Sequence, residues 1–141
     1  MDQTRRNVLR AGGGASLFAM LAAAGLLSPG AAQAADVSQK AFESKSLKDV
    51  LEAMGATSHT DSASIIMKAP EIAENGAVVP VGVESKIPGT ESIAILIDKN
   101  PTPLAASFEI PPGTMPEVST RVKMAQTSEV YALVKAQGKY Y

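Results

Sequence analysis

Ile93-Ala94-Ile95-Leu96-Ile97-Asp98-Lys99-Asn100-Pro101-Thr102-Pro103-Leu104-Ala105-Ala106-Ser107-Phe108-Glu109-Ile110-Pro111-Pro112-Gly113 is the stretch that decides the fold. Ile93 to Ile97 is apolar at every position, as expected of a strand buried on both sides. The polar, proline-rich run 98–103 then breaks the chain into a loop. After it, Leu104, Ala106, Phe108 and Ile110 point one way, and Ala105, Ser107 and Glu109 the other, which is the period of a strand. Pro111-Pro112-Gly113, continuing to Pro116, makes a stiff connection.

The same alternation extends in both directions. Upstream, Pro88-Gly89 suits the central positions of a type II turn. Residues 77–85 alternate around valines, with Pro80 marking an edge or a bulge. Asn75-Gly76 is a turn signal, and Ser64-Ile65-Ile66-Met67-Lys68 is a short apolar strand. Downstream, Val118, Thr120, Val122 and Met124 alternate with Ser119, Arg121 and Lys123. Val130, Ala132 and Val134 alternate with Tyr131, Leu133 and Lys135. About six strands separated by Pro/Gly turns predict a mainly β protein, an immunoglobulin-like antiparallel β-sandwich. The buried cysteines and tryptophan of antibody domains are absent, so the class rests on pattern alone.

A short N-terminal helix precedes the strands. Ser46 is a good N-cap, and Asp49 sits in the first turn, where a negative charge is favoured. Leu47, Val50, Leu51 and Met54 share one face, and Gly55 is placed to end the helix. Residues 35–45 read as a flexible lead-in. At the other end, Gln137-Gly138 reads as a hairpin turn and Lys139-Tyr140-Tyr141 as the start of a returning strand. The sequence stops inside that strand, leaving the strand at 130–135 with an open edge. The domain at 46–141 therefore reads as cut short at its C-terminal strand.

Residues 1–34 read as an export signal. Thr4-Arg5-Arg6-Asn7-Val8-Leu9-Arg10 contains the twin arginine Arg5 and Arg6. An uncharged run, 11–27, follows and is moderated by Gly12-Gly13-Gly14. Ala32-Gln33-Ala34 is a small-x-small site, which places cleavage between Ala34 and Ala35. Export by the twin-arginine route to the periplasm, without stable membrane insertion, is the expectation. The alternatives are an uncleaved anchor or a cytoplasmic amphipathic helix, and the run lacks the polar face of the latter. Removing Arg5, Arg6, Arg10 and Asp2 from 13 basic and 14 acidic residues leaves a mature net charge of -3.

Composition excludes several functions. The whole chain of 141 residues carries a net charge of -1, which does not suit a nucleic-acid partner. It has no cysteine, so disulfides, Cys-ligated metal and thiol chemistry have no residue to use within it. It has one histidine, His59, in the polar run Thr57-Ser58-His59-Thr60-Asp61. His59 reads as an exposed loop residue. Copper ligation with Met54 or Met67 is conceivable from ligand softness. Those methionines, with Met115 and Met124, read instead as core fillers. Glu71 and Glu74 read as solvated, and Asp98-Lys99-Asn100 as a turn. Asn100-Pro101-Thr102 is no glycosylation acceptor, because proline follows the asparagine. Ile93 to Ile97 needs both faces covered, by the helix or by a partner chain.

A resemblance adds to this reading. Ala73-Glu74-Asn75-Gly76-Ala77-Val78-Val79-Pro80-Val81, Ile87-Pro88-Gly89-Thr90-Glu91-Ser92-Ile93 and Asp98-Lys99-Asn100-Pro101-Thr102-Pro103-Leu104-Ala105 are similar to the SoxY family. So are Ser119-Thr120-Arg121-Val122-Lys123-Met124-Ala125-Gln126-Thr127-Ser128 and Val130-Tyr131-Ala132-Leu133-Val134-Lys135. SoxY proteins carry sulfur compounds in bacterial thiosulfate oxidation. The resemblance implies a non-enzymatic periplasmic subunit that pairs with SoxZ and meets SoxAX, SoxB and SoxCD transiently. It implies covalent sulfur adducts, not a bound cofactor or metal, on a cysteine in a C-terminal Gly-Gly-Cys-Gly-Gly arm. Flanking glycines would let that cysteine enter narrow active sites. No residue here matches it, so no catalytic or carrier residue is assigned, and the cysteine is expected downstream of Tyr141. Two readings stand: a sequence that stops short of the arm, or an arm-less variant that keeps only the partner surface. A third, an autonomous metal-binding or hydrolytic enzyme, has little support.

Overall fold

The structure, a computed structural model, describes residues 39–141. The expected export signal, with Arg5, Arg6 and the Ala34/Ala35 junction, lies outside the described residues.

Among the described residues, after a helical stretch at 39–43, the elements follow in order: α1 (Leu47–Ala53), β1 (Ile65–Lys68), β2 (Val79–Ser85), β3 (Thr90–Ile97), β4 (Leu104–Glu109), β5 (Glu117–Val122), β6 (Val130–Ala136) and β7 (Lys139–Tyr140). They form a three-stranded sheet, β1-β2-β5, and a four-stranded sheet, β4-β3-β6-β7, with every pairing antiparallel. The trio β1-β2-β5 and the trio β3-β6-β7 are those of an immunoglobulin sandwich. The fourth strand has moved across to pair with β3. The expected immunoglobulin-like class is therefore correct, and the strand at the C-terminus makes seven where about six were expected.

The core lies between the sheets. Val79, Val81 and Val83 of β2 face Ile93, Ile95 and Ile97 of β3, with Val122 and Val134 completing the layer. These β-branched side chains suit a pleated surface and are almost wholly removed from water. Pro80 is compatible with β2 because β1 pairs only from Gly82 onward, so β2 is locally an edge at Pro80.

β3 is buried on its other face too, as its unbroken apolar run required. Ala94 and Leu96, with Leu104 and Leu133, pack against Ala41, Val50 and Ala56. The helix therefore covers this face, and Ile93 to Ile97 needs no partner chain to bury it.

α1 has seven residues, too few to persist in water alone. Ser46 caps it by accepting the Asp49 N–H at 3.1 Å. Its end is a Schellman motif around Gly55, whose φ is 72°. The N–H of Ala56 donates to the Leu51 carbonyl at 2.7 Å, and that of Gly55 to the Glu52 carbonyl at 3.1 Å.

Four local expectations need correction. The lead-in is not loose throughout: residues 39–43 are helical, and Ala41 is fully buried beside Val50. Leu104 does not share a face with Ala106, Phe108 and Ile110. The ladder shifts register between Ile95 and Leu96, so that Ile95 opposes Ala106 while Leu96 opposes Leu104. Ala105 is the extra residue of a bulge, and the bulge turns Leu104 toward the helix. Met67, read as a core residue, is 38% exposed, because β1 is a four-residue outer strand that leaves it at the rim. Met115 is 73% exposed on the proline-bounded connection before β5, where no strand period directs it inward.

Candidate functional site

The C-terminal hairpin β6–β7 is tied to the rest of the sandwich at both of its ends. Its turn is Gln137-Gly138, with φ of 52° and 73°. Two consecutive positive φ values define a type I′ turn, whose twist matches that of the strands. The turn end is latched to the arch between β2 and β3. Gly138 N–H donates to Glu91 Oε1 at 2.9 Å, and Gln137 Nε2 donates to the Pro88 carbonyl at 3.2 Å. Glu91 Oε2 pairs with Lys135 Nζ at 3.3 Å. The Gly138 N–H, then the lysine, hold the Glu91 carboxyl below the usual carboxylate range.

The arch itself is held by Ser85 and Thr90. Their hydroxyls lie 2.8 Å apart, Thr90 Oγ1 donates to the Ile87 carbonyl at 2.8 Å, and Ile87 N–H donates to Ser85 Oγ at 3.2 Å. Gly89, with φ of 71°, makes the turn that Pro88-Gly89 foretold.

The other end of the hairpin is tied to the helix region. Tyr140 Oη donates to the Met54 carbonyl at 2.6 Å. Thr60 N–H donates to the Tyr140 carbonyl at 3.1 Å, and His59 bridges Tyr140 in parallel. Tyr141 exchanges two backbone hydrogen bonds of 2.9 Å with Val134. The open edge expected on the strand at 130–135 is closed only in part: β7 and Tyr141 pair with Val134 to Ala136 and do not reach Val130 to Leu133. The 59–60 segment in turn covers β7. The latching roles of the Tyr140, Glu91 and Gln137 side chains were not read from the sequence. Only the hairpin turn was visible there, because such latches join residues far apart in the chain.

The other candidates fall apart spatially. His59 is exposed, and its Nδ1 lies 3.1 Å from the Ala56 carbonyl. Met54 belongs to the helix–sheet cluster and Met67 to β1 of the opposite sheet, so no copper set forms around His59. Met124 packs on the core as expected. Among the described residues no group of three or more acidic or histidine side chains is placed to hold a metal. Glu71 and Glu74 are exposed, as read. Asn100 does more than turn the chain: its Nδ2 donates to the Lys123 carbonyl at 2.8 Å, and its Oδ1 accepts Ala125 N–H at 2.9 Å. It ties the β3–β4 loop to the chain leaving β5. Tyr131 Oη donates to Glu129 Oε2, an acceptor that holds the phenol above its ordinary range. Among the described residues, no side-chain N or O atom is buried without a partner.

The fold and this site define a class: a helix-capped immunoglobulin-like sandwich whose C-terminal hairpin is fastened at both ends and bears no metal cluster among the described residues. The family model described as sulfur oxidation protein SoxY matches residues 50–141, and the chain belongs to the SoxY family. A solved relative is the sulfur carrier protein SoxY from Chlorobium limicola f thiosulfatophilum. It is 45% identical with a TM-score of 0.60, and the match covers 74% of this chain and 91% of that one. No curated protein matches the chain.

Proposed function

We propose that this chain is the periplasmic carrier subunit of a thiosulfate-oxidising Sox system, exported by the twin-arginine route and paired with a SoxZ-like subunit. The observation that carries the proposal is the family match over residues 50–141, the whole sandwich from within α1 to Tyr141. In this reading the sandwich is a platform, not an enzyme. A carrier thiol joins thiosulfate through a new S–S bond, with loss of one proton and transfer of two electrons to the SoxAX cytochrome. Hydrolysis by water at SoxB releases the sulfonate as sulfate, and the sulfane sulfur left on the thiol is oxidised at SoxCD, which takes up the electrons while water supplies the oxygen. The 141 residues contain no cysteine, so none of them holds the adduct. The latched hairpin supports the reading by giving anything joined to β7 a fixed point of departure.

A second reading follows from the same missing thiol: an exported immunoglobulin-like module that binds its partner without carrier chemistry. Expression of the full chain in a host with twin-arginine export tests the common part. The expected product is periplasmic, begins at Ala35 and co-purifies with a SoxZ-like chain, and Arg5→Lys with Arg6→Lys keeps it in the cytoplasm. A product that stays cytoplasmic without these changes overturns the export reading, and one that never co-purifies overturns the heterodimer. Absence of any thiosulfate adduct on a co-purifying pair favours the second reading.

A further inference from the structure

The sandwich has four outer strands, and three of them are guarded. β1 is four residues long and ends in Lys68, whose Nζ pairs with Glu84 at 3.7 Å and Glu117 at 3.5 Å. β7 is covered by the Thr60 N–H on the Tyr140 carbonyl. β5 carries Glu117 and Arg121. β4 is different: its six residues, Leu-Ala-Ala-Ser-Phe-Glu, include no lysine, no proline and no charge before Glu109. An outer strand without such guards is a template for pairing with another chain.

The ladder shows which groups are on offer. Ile110 N–H donates to the Glu91 carbonyl, so the pairs Phe108/Ile93 and Ala106/Ile95 are the hydrogen-bonded ones in this antiparallel register. Ser107 and Glu109 therefore turn their N–H and C=O groups away from β3. Beside this edge an open groove of about 570 Å³ separates β4 from β5, lined by Phe42, Ala105, Ala106, Thr120, Arg121 and Lys123, among others. Arg121 and Lys123 are its only charged lining residues. Among the described residues neither is in an ion pair.

We infer that the outer edge of β4 takes an extended segment of the partner subunit, added as a further strand, with a carboxylate of that segment facing Arg121 and Lys123. Backbone bonds to Ser107 and Glu109 supply the pairing, and the two cations select an acidic occupant. This docking rests on the heterodimer reading above and gives it a surface.

Residue-resolved amide exchange on the full chain, alone and with a co-expressed SoxZ-like chain, tests it. The Ser107 and Glu109 amides exchange fast in the free chain and slow at least about tenfold in the complex, as expected for edge groups that acquire partners. The Ala106 and Phe108 amides are slow in both. Ser107→Pro removes an outward N–H without touching the β3 ladder, and Arg121→Glu with Lys123→Glu reverses the groove charge. Each weakens the complex about tenfold or more while leaving the melting profile of a folded sandwich. The charge variant serves if the proline variant misfolds. Slow exchange at Ser107 and Glu109 in the free chain overturns the inference, because the chain's own N-terminal segment or a second copy then covers β4. A complex that forms with unchanged exchange, and with both variants binding like the parent, overturns the docking surface and leaves the heterodimer standing. Failure of the parent chain to bind overturns both.

Discussion

Tyr140 Oη donates a 2.6 Å hydrogen bond to the carbonyl of Met54, a residue 86 positions earlier in the chain. Met54 is the C-cap of α1, and the last carbonyls of a helix have no partner within it. The penultimate residue of the sequence thus satisfies one of them and seats the C-terminal strand against the helix. Tyr140→Phe keeps the ring and loses the bond, at an expected cost of about 1 kcal/mol in urea unfolding. Tyr140→Ala also removes the packing against the helix–sheet cluster and costs more, about 3 kcal/mol. Equal losses for the two variants would mean that the hydroxyl carries the whole effect.

Glu91 gives the hairpin a pH dependence. Its carboxyl is held below the ordinary range by the Gly138 N–H and Lys135. A group with a lowered folded-state pKa contributes stability above its unfolded pKa, and that contribution disappears as pH falls through the folded pKa. Glu91→Gln therefore lowers stability at neutral pH and flattens the acid side of the stability curve, while the two proteins converge at low pH. Parallel curves for parent and variant down to the acid limit would remove Glu91 from this role.

Gly89 is constrained twice. Its φ is 71°, and a Cβ there would approach Gln137 Cγ at 3.2 Å. Gly89→Ala is expected to cost about 1–2 kcal/mol from the backbone alone. It also displaces the Gln137 side chain, so the turn amides at Gln137 and Gly138 exchange faster. Gly113 has a similar φ of 82° with open space around its Cβ position. Gly113→Ala thus shows the backbone cost without the collision, and a larger loss there than at Gly89 would contradict the latch.

Ile95 is fully buried in the inter-sheet core, whereas Met115 is 73% exposed. Ile95→Ala is expected to destabilise by about 2–5 kcal/mol. Met115→Ala is expected to stay within about 0.5 kcal/mol. Denaturant midpoints of the two variants check this directly.

Much of this architecture was legible residue by residue. Ser46 and Gly55 bounded the helix, and the apolar run of Ile93 to Ile97 foretold a strand covered on two sides. Pro88-Gly89 and Gln137-Gly138 both turn where their sequences demand it. Local conformational preference decides these features, so a short window contains them. Ala105 defeated the alternation rule because a bulge depends on how two strands match in length. Ala41 was missed because its burial depends on a sheet face more than fifty residues downstream. Met67 and Met115 misled because the side chain fits a core or a rim equally well, whereas Met54 and Met124 pack as read. Of the candidate site, the hairpin turn was visible. The latches at Glu91, Gln137 and Tyr140 were not, because hydrogen bonds between distant residues leave no periodic trace.

The carrier reading meets its most direct test in an intact-mass measurement. The chain is extended beyond Tyr141 by a short segment ending in Gly-Gly-Cys-Gly-Gly, paired with a SoxZ-like chain, and incubated with thiosulfate and the SoxAX cytochrome. A mass gain of one thiosulfate, absent when the added cysteine is replaced by serine, is the outcome expected of a sulfur-carrier platform. A folded, paired and extended chain that gains no mass beside a SoxY control that does would contradict it.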